Sequence, residues 1–206
     1  MSSMSTLNFA IYYRVPDRAF ERAADTWEAE ASKAIGSGAL FLKEGVSTEA
    51  DVLAAWTRIL DRATREGLPV YAGQIFSHAS KGSRNDGLEF QPGEDEDGTI
   101  DRTGIQSMPV LPWDPQGTLT LTGCNTGLVG TRGWCPASDF ATHQKVHTVG
   151  QAGYGYFSTQ TRRYSRIDDS STTVYLWAYR RGKNGAFGDG MRINGTLYDP
   201  KGRRII

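Results

Sequence analysis

Apolar and polar positions alternate with two different periods along the first third of the chain. Leu7-Asn-Phe-Ala-Ile-Tyr-Tyr13 is an unbroken run of strand formers. After it, Phe20, Ala23, Ala24, Trp27 and Ala31 recur at helical spacing. Pro16 and Asp17 suit the start of that helix, which runs to about Ala34, and Gly36 and Gly38 stop it. Ala39 to Lys43 is a second, short strand. Ser47 or Thr48 then caps a helix to about Glu66, with Val52, Leu53, Trp56, Ile59, Leu60 and Ala63 as its apolar face and Gly67 as its end. Leu68 to Ser77 is a third strand, terminating at His78. The order β-α-β-α-β predicts a parallel sheet covered by helices.

The pattern changes from Lys81 to Asp101, a polar, glycine-rich stretch with the acidic run Glu94-Asp-Glu-Asp97. That run reads as a solvated loop, and Leu88-Glu-Phe90 with Gly98-Thr-Ile100 as a small hairpin inside the stretch. Ile105 to Leu111 is an amphipathic link and Trp113-Asp-Pro-Gln-Gly117 a turn. Thr118 to Thr122 is a fourth core strand, ending at Gly123-Cys124. A helix from Pro136 to Val146, a fifth strand from His147 to Phe157 and a sixth from Thr172 to Tyr179 follow. Gly190 to Ile206 is β-rich with a turn at Asp199-Pro-Lys-Gly202. The 206 residues are expected to form one domain, with its core at about 7–180 and a β-rich C-terminal segment at 181–206.

Basic and acidic residues balance at 23 each, so net charge gives no general pull toward nucleic acid or anionic membrane. No basic, apolar leader opens the chain, and no run approaches the ~18 apolar residues of a membrane span. The expectation is a cytoplasmic protein; export by a machine that reads no N-terminal signal is compatible with the same residues. Cys124 and Cys135 do not form a disulfide framework. The two cysteines and three histidines lack the paired short spacings of a zinc site, and no metal or cofactor is implied.

In an open parallel sheet, reactive groups collect at the carboxyl ends of the strands. His78 and Cys124 both fall at such ends, flanked by the small or turn-forming residues Gly123, Asn125-Thr-Gly127 and Ala79-Ser-Lys-Gly82. A thiol beside an imidazole is the minimum apparatus of nucleophilic thiol catalysis. The imidazole takes the thiol proton or protonates a leaving amine, and backbone N–H groups hold an oxyanion. A second dyad is available from Cys135, at a helix start where the dipole favours thiolate, with His143 or His147.

Strand-His78, a hairpin insertion and strand-Gly123-Cys124, together with Leu119-Thr-Leu-Thr-Gly-Cys-Asn-Thr-Gly127 and Val146-His-Thr-Val-Gly-Gln-Ala-Gly153, resemble the caspase-like cysteine peptidases of clan CD, especially bacterial CHAT-like members. The resemblance spans roughly Leu7 to Phe157. It implies a three-layer α/β/α sandwich with a mostly parallel central sheet and a β-hairpin after the third strand. It further implies a cysteine endopeptidase acting on a protein or peptide, with Cys124 as nucleophile, His78 as general acid and base, and the N–H groups of Ala79 and Cys124 around the oxyanion. Ala79 stands where members usually carry glycine. Thr122, Gly123 and Gln151 to Tyr154, which includes Gly153, would form the substrate pocket, with Asp168-Asp169 nearby. Stand-alone bacterial members are often toxins, effectors or defence proteases. Two other functions fit the same residues: a non-catalytic peptide-binding module, and a thiol amidase acting on cell-wall amides.

Overall fold

The structure is a computed structural model that describes residues 5–36, 38–79, 87–90, 98–130, 133–181 and 190–206. The acidic run Glu94-Asp97 and most of the loop expected around it lie outside the described residues.

Strand β1 (Thr6–Tyr13) leads to helix α1 (Ala19–Ile35), β2 (Ala39–Val46), α2 (Glu49–Glu66) and β3 (Val70–Phe76). The expected alternation is present, with two boundaries moved. Helix α1 begins after Asp17 rather than at Pro16. Arg18 is left-handed at φ 54°, and the Asp17 carboxylate accepts the Ala19 N–H at 3.0 Å. Strand β2 extends three residues beyond Lys43, paired throughout with β1. Helix α2 is capped as expected: the Thr48 hydroxyl accepts the Asp51 N–H at 3.1 Å, and Gly67 closes the helix at φ 62°.

The hairpin insertion follows as β4 (His78–Ala79), β5 (Leu88–Glu89) and β6 (Thr99–Ile100), three short antiparallel strands in one small sheet. His78 therefore opens this sheet instead of ending β3. Helix α3 (Arg102–Ser107), β7 (Trp113–Leu121), α4 (Pro136–Gln144) and β8 (His147–Gly150) come next. The expected turn at 113–117 is a bulge inside β7. Val70 pairs with Trp113 and Ala72 with Thr118, so residues 114–117 loop out opposite Tyr71.

The largest departure lies after β8. The fifth strand expected over 147–157 is two strands, because the chain leaves the main sheet at Gln151. Its second half, β9 (Gly155–Ser158), pairs antiparallel with β10 (Tyr175–Ala178) in a separate two-stranded sheet. The expected sixth core strand is this β10. Its place in the main sheet is taken by β11 (Thr196–Tyr198), antiparallel to β8 and followed by the expected turn, where Asp199 accepts the N–H groups of Lys201 and Arg203.

The main sheet thus has the order β11-β8-β7-β3-β1-β2, parallel except for β11. The chain moves outward from β1 to β2 and then back past β1 to β3. A reversal of direction puts successive right-handed crossovers on opposite faces. Accordingly α1 packs on one face with Phe20, Ala23 and Ala24 against Ala10, Phe76 and Leu176. Helices α2, α3 and α4 and the hairpin share the other face with Phe9, Ile11, Ile75 and Leu119. Trp56 is fully buried there, edge-on to Phe9 at 5.5 Å, and its indole N–H reaches the Pro109 carbonyl at 2.8 Å. At the open edge, Lys43 and Glu44 of β2 are tied back to the helices, Lys43 to Asp25 and Glu44 to Arg58.

Candidate active site

Strands β3 and β7 are adjacent and parallel, and Ile75 pairs with Leu121. His78 and Cys124 each lie three residues beyond that pair, so the register carries both to the same height at the carboxyl edge. Thr122 extends the junction, its N–H and hydroxyl donating to the Ile75 carbonyl at 2.9 and 2.7 Å. Gly123 then lets the chain pass against β4. A methyl group there would sit 2.8 Å from the Ala79 methyl and 3.0 Å from the His78 carbonyl oxygen. Among the described residues no hydrogen bond joins the imidazole to the thiol.

His78 is held by rings. Phe20 meets it edge-on at 4.9 Å and Tyr13 at 5.9 Å, and Phe20 is itself braced by Phe157 at 4.9 Å. Burial lowers the imidazole pKa, opposed by the charge of Asp17. Burial also raises the Cys124 thiol, opposed by the N–H of Gly155, 3.3 Å from the sulfur, and by the N–H of Cys124; the charge of Glu89 raises it further. Both shifts favour the uncharged forms, so the resting pair is imidazole and thiol. Such a pair reacts when a bound electrophile draws the sulfur in and the imidazole accepts its proton.

The residues expected to line the pocket divide sharply. Thr122 is fully buried and engaged with Ile75, so it lines nothing. Gln151 is 4% exposed and acts as a brace: its N–H donates to the Thr126 hydroxyl, its side-chain oxygen accepts the Ala178 N–H, and its carbonyl accepts the Gly127 N–H. The Gly153 carbonyl accepts the Asn125 N–H at 2.8 Å, which fixes the left-handed turn at Asn125 (φ 56°) just after the cysteine. Asn is among the few residues that tolerate that conformation. Tyr154, 64% exposed, is open to a ligand. Ala79 pairs with Leu88 across the small sheet. The Asp168 carboxylate accepts from Ser170 and Ser171 of its own loop, and Arg22 of α1 donates to the carbonyls of Asp168 and Ser171.

The sequence offers the aromatic Gly153-Tyr-Gly-Tyr-Phe157 loop as a peptide holder but assigns Gly155, Phe20, Asp17 and Glu89 no role at the thiol or imidazole. Phe20, Asp17 and Glu89 belong to elements whose approach to His78 and Cys124 exists only in three dimensions. The second dyad is not assembled. Cys135 is buried with its thiol on the Thr126 carbonyl at 3.4 Å, and borders a separate cavity of about 360 Å³ with Trp134, Tyr198 and Arg204. His143 contacts the Met108 carbonyl at 2.6 Å, and His147 opens β8 at the amino edge of the sheet. Among the described residues no three of His, Cys, Asp and Glu converge to hold a metal ion, and no helix is long and apolar enough to cross a membrane. No protein-family model, curated protein or solved structure matches the chain.

Proposed function

We propose that the chain is a caspase-like cysteine peptidase in which Cys124 is the nucleophile and His78 the general acid and base. The observation that supports this reading is the register: adjacent parallel strands β3 and β7 pair Ile75 with Leu121, and His78 and Cys124 each follow that pair by three residues, beside Gly123, where a side chain would collide with β4. The mostly parallel sheet with helices on both faces and a hairpin after the third strand supports the caspase-like assignment. In the reaction, the Cys124 proton passes to His78 while sulfur bonds to the peptide carbonyl carbon. The C–N bond then breaks as His78 returns the proton to the amine, leaving an acyl-enzyme. His78 next takes a proton from water as it attacks the thioester, and returns that proton to the departing Cys124 sulfur, releasing the acid and restoring the thiol. The Cys124 N–H is one oxyanion donor. Gly155, whose N–H already faces the sulfur, is a better-placed second donor than the Ala79 of the family pattern.

A panel of peptidyl acyloxymethyl ketones tests the reading. Covalent mass should be added at Cys124, should vanish in Cys124→Ala and should fall by about a hundredfold or more in rate in His78→Ala. Labelling at Cys135 instead, or labelling indifferent to His78, would refute it. The unlinked, uncharged pair favours one alternative, a peptide-binding module without turnover. Tight peptide binding that survives Cys124→Ala, with no cleavage by the unaltered chain, would establish that alternative.

A further inference from the structure

Net neutrality conceals a segregation of charge. Residues 154–195 hold seven of the 23 basic residues and three of the 23 acidic ones, together with five of the nine tyrosines. In the described part of that stretch every basic residue is an arginine. Arg162, Arg163, Arg166, Arg180 and Arg192 are exposed, and none is in an ion pair among the described residues.

The backbone gathers four of them. Arg192 donates its N–H to the Arg162 carbonyl at 3.2 Å, Arg163 bridges Met191, and Arg180 donates its N–H to the Met191 carbonyl at 2.7 Å. Successive residues of these extended segments face opposite ways, so Arg162 and Arg192 share the face of Tyr179 and Trp177, while Arg163 and Arg180 share the other with Met191. Beside them, the outer face of the β9–β10 ribbon pairs Tyr156 with Trp177, and Tyr175 lies stacked along Trp177. The Arg192 guanidinium lies over the Trp177 ring at 3.4 Å from its centre, and Arg181 reaches the Tyr156 hydroxyl at 3.4 Å. The opposite face of the ribbon is its buried one, with Leu176 and Phe157 against α1.

Unpaired guanidiniums attract phosphates, which they can grip with two parallel N–H groups. Half-exposed aromatic and guanidinium planes give bases something to stack on. We propose that the β9–β10 ribbon and the adjoining 162–166 and 190–192 segments form a binding surface for single-stranded nucleic acid. The planar groups favour a single strand over an acidic polypeptide, which would use the charge but not the rings. The surface is independent of the thiol chemistry.

Fluorescence anisotropy of labelled 15-nucleotide oligo(dT) on the full-length Cys124→Ala chain tests it. Single-strand binding weakens with salt by about 0.7 log units per log unit for each phosphate contacted. The two arginines on the aromatic face, Arg162 and Arg192, therefore give roughly a sevenfold loss of affinity between 50 and 200 mM salt. The variant R162Q/R192Q should lower that slope by about 1.4, and Arg162→Gln alone should show the same effect at smaller amplitude. A charge-matched control, K33Q/K201Q, should bind like the parent. The proposal is overturned by no binding at 50 mM salt, by equal affinity for an oligo-aspartate peptide or duplex DNA, or by an arginine variant that folds and binds unchanged.

Discussion

Replacing Gly123 by alanine isolates the contact that brings the two reactive strand ends together. The added methyl would meet the Ala79 methyl at 2.8 Å, the His78 carbonyl oxygen at 3.0 Å and the Thr126 methyl at 3.2 Å. Carbon atoms pack at about 3.5–4.0 Å, so β7 and β4 must part by about 0.7–1 Å. Two of the three obstacles belong to β4, and one of those is main chain, so no side-chain rotation relieves them. Overpacking of this kind costs about 1–3 kcal/mol, which for a chain of this length lowers the melting point by about 2–4 °C per kcal/mol. The same displacement acts on the distance between imidazole and sulfur. A 1 Å misplacement of reacting groups costs about a hundredfold in rate, near 2.7 kcal/mol. The assay is paired: a thermal melt, and the pseudo-first-order rate of Cys124 labelling by the best peptidyl ketone. Gly45→Ala on the edge strand β2 is the control. The nearest atoms to its methyl are the far ends of the Arg14 and Tyr12 side chains, at 2.6 and 2.8 Å, which can move aside. If Gly123→Ala melts and labels like the parent, the close passage of β7 against β4 does not hold the pair, and the argument from register fails.

Two other consequences are open to measurement. Burial holds the His78 pKa below its ordinary value of about 6.5, so the neutral ring contributes stability that is complete above that pH and lost as pH falls through the depressed folded value. His78→Phe should flatten the fall in melting temperature between pH 7 and pH 5, and parallel profiles for parent and variant would contradict this. The Tyr198 hydroxyl donates to the Gly127 carbonyl at 3.0 Å from a buried position. Tyr198→Phe should cost about 1–2 kcal/mol in urea unfolding, with an unchanged slope against denaturant. A loss below a few tenths would mean that the Tyr198–Gly127 bond does not anchor the loop after Cys124.

The first half of the fold is legible in the sequence because each element declares itself locally. Val52, Trp56, Ile59 and Ala63 keep helical spacing, and Leu7 to Tyr13 has no breaker. That His78 and Cys124 fall at the carboxyl edge of the sheet follows from strand direction alone. What the sequence conceals is partnership. His147 to Phe157 carries the strand formers Thr148, Val149, Tyr154, Tyr156 and Phe157 among three glycines, and nothing local says that Gln151 turns away because its side chain and carbonyl are claimed by Ala178 and Gly127. Residues 114–117 look like a turn but form a bulge inside β7, because Trp113 is already paired with Val70 before them, which only the neighbouring strand reveals. Thr122 and Gln151 sit near the cysteine in sequence, yet their polar groups are satisfied inside the protein. Phe20, from the far end of the chain, is the residue that fixes the imidazole.

The free margin of β2 has a bearing on handling the protein in solution. Among the described residues no strand pairs with this margin, eight residues beginning Ala39-Leu-Phe-Leu42, which would template the addition of a foreign chain were it apolar throughout. Lys43 and Glu44 interrupt it, and their anchorage to Asp25 and Arg58 keeps those charges in place. Salt that screens these partly exposed ion pairs would loosen both anchors, so ionic strength bears on whether the molecules stay apart.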